Sequence, residues 1–205
     1  MTNLNFECLL GLQCNDFVMI AADQSSNHSF MFMDEDEEKI YKVSDHFVMS
    51  VIGELADKNQ FAEYIAKYTH LYKKRNGHEL VPSAVASFTR RKLIDYLTCT
   101  TPYFVNILMA SYDKGSGPGL YFLSNLAASV KVPFAARGFG AHLSLVIMDV
   151  EHKKDCTEEE AYEIFKQCIR EVQKVLRVSL PTFQVTVVNR DGIKVLPVID
   201  SALLK

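Results

Sequence analysis

The chain opens on short apolar blocks of the kind that make strands. Glu7-Cys8-Leu9-Leu10-Gly11-Leu12-Gln13 reads as a strand and Cys14-Asn15-Asp16 as a turn. Phe17-Val18-Met19-Ile20-Ala21-Ala22 reads as a second, wholly apolar strand that ends on Asp23. A run with no polar alternation is covered on both faces. Asp34 to Glu38 is five like charges in a row, which predicts a solvated loop; consecutive carboxylates do not converge on one metal ion. Lys39 to Ser44 alternates, as a half-buried strand does, and Phe47 to Gly53 is again nearly continuous.

The period then changes. Phe61, Tyr64, Ile65, Tyr68, Leu71 and Tyr72 recur at three and four, predicting an amphipathic helix over about 57–74 that Asn76-Gly77 stops. Pro82 suits the first turn of a second helix, with Val85, Thr89, Leu93 and Tyr96 or Leu97 as its buried stripe, ending before Thr101-Pro102. Strands return over 103–110 and 120–123, around a glycine-rich hairpin loop at 115–119, and again over 130–134. Gly138-Phe139-Gly140 leads into a helix carrying Leu143, Val146 and Ile147. The dinucleotide fingerprint fails there, so the glycines predict close backbone approach. Thr157-Glu158-Glu159-Glu160 is a capping box opening a long helix with Ala161, Phe165, Cys168, Val172 and Val175 inward. Thr182 to Val188 alternates, Arg190-Asp191-Gly192 turns, and Ile193 to Leu196 is the last strand.

Pairs of helices between groups of strands do not make βαβ units. They predict an α+β fold of two packed antiparallel sheets with a helical pair outside each, a four-layer αββα sandwich. The 205 residues show no repeat or low-complexity linker, so residues 1–205 read as one domain.

Composition narrows the function. A net charge of −3 and only short basic runs argue against nucleic acid, and no apolar run is long enough for a membrane span. Five cysteines, with no Cys-x-x-Cys pair and no signal-peptide apolar region, predict reduced thiols in a cytosolic protein. The sequon Asn27-His28-Ser29 then goes unused. No metal or other cofactor is expected.

Several segments are specific enough to carry a resemblance: Phe17 to Asp23, Gln60 to Ile65, Leu71 to Gly77, Phe88 to Arg91, Pro133 to Ala136 and Leu180 to Phe183. Over essentially its whole length the chain resembles the β-type subunits of the eukaryotic proteasome core particle, and within them the type-2 branch at the fourth position of the β ring. That resemblance implies the N-terminal-nucleophile hydrolase fold, in agreement with the layers above. Active members of the family free a threonine at a Gly-Thr junction, and its hydroxyl attacks with the help of its own amine, an aspartate and a lysine.

Counted along this chain, the family aspartate falls on Asp23 and the lysine on Lys39. The threonine position falls on Glu7, preceded by Phe6, and no Gly-Thr dipeptide occurs anywhere. A glutamate has no hydroxyl to attack with. Cys8 is one residue out of register, which turns a strand side chain to the opposite face. The family serine near the third helix is replaced in Gly138-Phe139-Gly140, and the Asp-x-x-Ser segment is not kept in Arg177-Val178-Ser179-Leu180. Glu7, Asp23 and Lys39 are therefore expected to be vestigial positions, Asp23 capping a turn and Lys39 pairing with Asp23 or with the acidic loop.

The expectation is a non-catalytic structural subunit in ubiquitin- and ATP-dependent protein degradation, in the cytoplasm and nucleus. Its implied partners are two β-ring neighbours, the opposing β ring, α-ring subunits and assembly chaperones. The helical pairs should supply much of the inter-ring contact. Ser201-Ala202-Leu203-Leu204-Lys205 could reach a neighbour, although an unanchored terminus is the default. The competing readings are an active threonine-type endopeptidase and a free-standing protein that borrows the fold.

Overall fold

The computed structural model describes residues 7–28, 31–34, 37–176 and 180–204. β1 (Cys8–Gln13) and β2 (Phe17–Asp23) form the predicted hairpin, and β2 is buried along its whole length. Two short strands, β3 (Ser26–His28) and β4 (Met31–Asp34), pair with each other ahead of the acidic run, and Asp34, read from sequence as part of the loop, ends β4. β5 (Ile40–Ser44), β6 (Phe47–Gly53), β7 (Val105–Asp113), β8 (Gly117–Leu123) and β9 (Ser129–Lys131) make one five-stranded antiparallel sheet in that order. β10 (Phe134–Gly138), β1, β2, β11 (Thr182–Asn189) and β12 (Gly192–Asp200) make the other.

Strand alternation sorts the apolar side chains into three cores. Leu9, Val18, Ile20, Ala22 and Val188 face the second sheet, where they meet Ile40, Val48, Ile52, Leu108, Ala110 and Leu120. Their neighbours Leu10, Leu12, Met19, Ala21, Val185 and Val187 face the opposite way, against α3 (Ala141–Glu151) and α4 (Glu158–Leu176). On the far side of the other sheet, Met49, Val51, Ile107 and Met109 pack on α1 (Leu55–Asn76) and α2 (Pro82–Leu97). Strands covered on both faces need unbroken apolar sequence, which is why β2 and β6 have it. The result is the expected α+β, four-layer αββα sandwich.

Local signals placed the helix ends well. Gly77 closes α1 in the left-handed conformation, and its N–H bonds to the Lys73 carbonyl. Thr157 and Glu160 form the reciprocal capping box, at 2.9 and 3.2 Å. Gly138 and Gly140 both have positive φ, and both show the predicted close approach. A Cβ on Gly138 would lie 2.0 Å from the Glu7 carbonyl oxygen, and one on Gly140 would lie 2.6 Å from a Val172 methyl.

Other expectations need correction. Only the Phe61, Ile65 edge of the predicted α1 stripe is buried; Tyr64, Tyr68 and Leu71 lie on the outer side. Lys58, Ala62 and Thr69 complete the inward face instead. Leu71 is 42% exposed, and Val146 and Val175, also expected inward, are exposed too. The glycine-rich loop is shorter than predicted. Gly117, Pro118 and Gly119 pair with Asp113, Tyr112 and Ser111, because the Asp113 carboxylate closes the turn on the Ser116 N–H and hydroxyl.

The single strand expected over 130–134 is two strands in different sheets. Val132 N–H still bonds to Leu120, whereas the Pro133 carbonyl already accepts from Gln13 in the other sheet. β11 is buried on both faces rather than alternating with solvent. β12 runs four residues past Leu196 to Asp200, with Pro197 beside a register shift on an edge strand that tolerates the missing N–H. The C-terminal residues do not hang free: Ser201–Leu204 form a 3-10 turn, with Ser201 N–H bonded to Pro181 and Arg170 holding the Leu204 carbonyl.

The corrected α1 face predicts a contrast in stability. Ile65→Ala should cost about 2–5 kcal/mol in chemical denaturation, as for a fully buried side chain, and Leu71→Ala within about 0.5 kcal/mol. Equal costs would contradict the observed face.

Candidate functional site

Asp23 ends the central strand of its sheet, at the edge of the space between the sheets. Its Oδ1 accepts the Cys8 backbone N–H at 2.7 Å. Its Oδ2 accepts the Ser25 hydroxyl at 2.7 Å and the Lys39 ammonium at 2.8 Å. Lys39 also donates to the Ser25 carbonyl at 2.7 Å and is completely buried. The Asp23–Lys39 pair expected from sequence is therefore formed, and Asp23 holds two backbone segments as well as a cation.

Glu7 immediately precedes β1 and points toward the second sheet, as Leu9 does two residues on. Its Oε2 accepts the Gly53 N–H at 2.9 Å, and its Oε1 accepts the Lys58 ammonium at 2.8 Å. Lys39 stands 3.6 Å from the same Oε1. Gly53 is at the end of β6 and Lys58 in the first turns of α1, so the Glu7 carboxylate joins the two sheets and a helix. Behind it, the Phe139 N–H bonds to the Glu7 carbonyl at 2.7 Å, and Gly138 leaves room for that carbonyl.

Glu37 completes the cluster. Its Oε1 is 2.7 Å from Lys58 and its Oε2 is 3.7 Å from Lys39, both ion pairs outside hydrogen-bond alignment. This corrects the reading of residues 34–38 as solvated throughout: Glu37 turns inward and pairs with the two buried ammonium groups. Burial alone would lower the Lys58 pKa, but Glu7 and Glu37 outweigh it and raise it above the ordinary lysine value.

Cys8 lies on the other face of β1, within the core that packs on α3 and α4. Burial, then the Asp23 charge, pushes its thiol far above the ordinary cysteine value. It is a packed thiol turned away from Glu7, as the one-residue shift predicts. Arg177, Val178 and Ser179 of the degraded Asp-x-x-Ser segment lie outside the described residues; Leu180 is buried.

Sequence reasoning missed Lys58, Ser25, Gly53 and the inward turn of Glu37. Lys58 did carry a signal: it stands three, four and seven residues before Phe61, Ala62 and Ile65, so the helical period itself puts a lysine on the buried face. Among the described residues no cluster of histidine, cysteine and carboxylate side chains suits a metal ion.

A family model described as "Proteasome subunit" matches residues 6–188. The "Proteasome subunit beta type-2-A" of Arabidopsis thaliana is 41% identical over 186 residues, 91% of each chain. The chain belongs to the proteasome β-subunit family. Its likeness extends to the "Probable proteasome subunit beta type-4" of Schizosaccharomyces pombe, 39% identical over 92% of this chain and 97% of that one. The "Proteasome subunit beta type-4" of Saccharomyces cerevisiae is 32% identical over 92% and 96%. The αββα sandwich is thus the N-terminal-nucleophile hydrolase fold, and membership of the family implies assembly with other proteasome subunits. Within this β subunit, the three positions singled out from sequence, Glu7, Asp23 and Lys39, meet in one buried ionic cluster.

The cluster predicts how the chain responds to substitution and to pH. Lys58→Met strands the Glu7 carboxylate and should cost about 3–5 kcal/mol, whereas the double variant Glu7→Gln/Lys58→Met should cost less than the two single changes summed. Chemical denaturation of all four proteins measures the coupling; strict additivity would mean no interaction. Because the folded Lys58 pKa is raised, the stability it contributes is full below the unfolded value of about 10.4 and is lost as pH rises through the folded value. The melting temperature of the wild type should fall more steeply above that pH than that of Lys58→Met.

Proposed function

We propose that this chain is a non-catalytic structural β subunit of the proteasome core, forming part of the β-ring wall of the proteolytic chamber. The observation that carries this reading is Glu7. At the place where an active relative frees a threonine hydroxyl, this chain has a buried carboxylate that accepts from Lys58 and Gly53. A glutamate so engaged has both oxygens tied to neighbouring elements and no hydroxyl to attack with. The Lys39 ammonium is engaged by Asp23 and the Ser25 carbonyl, and the Ser25 hydroxyl beside it is itself donated to Asp23. The absence of a Gly-Thr junction supports the same reading, since no bond is present whose cleavage would free a threonine amine.

Function then resides in interfaces. In this reading the subunit contacts two β-ring neighbours, the α ring and the opposing β ring, and assembly chaperones handle it before it is incorporated. Its work is protein degradation dependent on ubiquitin and ATP, in the cytoplasm and nucleus. Residues 1–205 act as one domain.

Two measurements test this. In core particles purified with this chain, intact-mass spectrometry should find residues N-terminal to Glu7 still attached, and a covalent probe for N-terminal threonine should label other subunits but not this one. Labelling of this chain would overturn the proposal. In native extract the chain should elute in a very large complex; a species only of monomer size would refute the structural role.

A further inference from the structure

Two cysteines that are far apart in sequence meet in the structure. Cys14 sits in the β1–β2 turn and Cys156 in the loop between α3 and α4, and both are buried in the core on that side of the sheet. The two thiols are neighbours there. The backbones on either side are clamped together: Asn15 N–H donates to the Lys154 carbonyl at 2.7 Å, and the His152 ring lies 2.8 Å from the Gln13 carbonyl. Cys14 N–H bonds to the Phe17 carbonyl across its own turn at 2.9 Å, which fixes the strand end that carries it. The pair is therefore held in place by main-chain contacts that do not involve sulfur.

The two thiols are not equivalent. Lys153, Lys154 and Asp155 are all exposed, so Cys156 lies just under the surface at 8% exposure. Burial first, and then the neighbouring Cys156, pushes the Cys14 thiol up to about 12. Cys156 is the more accessible of the two, 8% exposed against 3% for Cys14, so Cys156 is the thiol that an oxidant in solution reaches first.

We infer that Cys14 and Cys156 form a reversible disulfide-forming modification site that takes a low-molecular-weight disulfide such as oxidised glutathione as its oxidant. The Cys156 thiolate attacks one glutathione sulfur, breaking the glutathione S–S bond, and releases one glutathione thiolate. The Cys14 sulfur, losing its proton as it attacks, then displaces the second glutathione from Cys156. Two electrons pass from the protein thiols to glutathione disulfide, and the two thiol protons end on two glutathione molecules. The bridge pins the β1–β2 turn to the helical layer and leaves the Glu7 cluster untouched. In a reducing compartment the pair rests as two thiols.

The test titrates the assembled chain in defined ratios of reduced to oxidised glutathione, followed by acid quenching, alkylation of remaining thiols and non-reducing peptide mass spectrometry. The expected product is a peptide pair joined through Cys14 and Cys156, two hydrogen atoms lighter than the reduced peptides and lost on adding dithiothreitol. Exposed Cys99 should carry only a glutathione adduct. In Cys14→Ala, the Cys156 glutathione adduct should persist instead of resolving. Two results would overturn the inference: both thiols alkylated at ratios where Cys99 is fully modified, or a wild-type adduct at Cys156 that never resolves. Should the variant fail to fold, the wild-type titration alone decides.

Discussion

Five charged side chains sit at the edge of the space between the sheets, and the pairing of two buried ammonium groups with three carboxylates is the condition on which the surrounding structure depends. Glu7, Asp23 and Glu37 face Lys39 and Lys58. An unpaired charge in such a place costs several kcal/mol, so none of the five can be placed without the others. The elements that carry them are bound by the same requirement. β1, β2, the approach to β5, the end of β6 and the start of α1 all supply either a charge or a donor to one cluster. The apolar cores make the layers adhere, whereas the ionic cluster fixes how the two sheets and α1 meet at this end.

Geometry that suits a hydrolase is here put to structural use. Asp23 accepts a backbone N–H, a hydroxyl and an ammonium, which leaves its carboxylate fully engaged. Lys39 is gripped by a carboxylate and a carbonyl. Glu7 adds a link that no threonine could make, because its side chain reaches both Gly53 and Lys58. The site gains a connection between sheets where a nucleophile would need open space for a substrate.

The layers were legible from sequence because strand and helix periods differ, and because β2 is apolar up to Asp23 and β6 nearly so, with Ser50 its one polar side chain. The Asp23–Lys39 pair and the turn of Cys8 away from Glu7 were legible too, the first through the resemblance, which left Asp23 or the acidic loop as partners of Lys39, and the second from strand alternation. Lys58 was missed because its helix was read from its apolar residues outward, so a lysine on the same face was not counted. The outer exposure of Tyr64, Tyr68 and Leu71 was missed for a related reason: the helix is apolar over a wider arc than its sheet covers, and Tyr68 stacks on Phe88 of α2 at 3.9 Å rather than entering the core. The sheet switch at Val132–Pro133 depends on a contact of Pro133 with β1, more than a hundred residues earlier, and no local pattern encodes it.

The Glu7–Lys58 contact also bears on what position 7 can hold. Placing threonine at position 7 would take a negative charge from a buried lysine in the same step as it supplied a hydroxyl, and Phe6 would still leave no Gly-Thr bond before it. Such a substitution therefore gives a less stable protein. The ion pair thus makes the charge at position 7 a condition of stability, so the residue that fills this place is tied to the lysine on α1 as closely as to anything in the site itself.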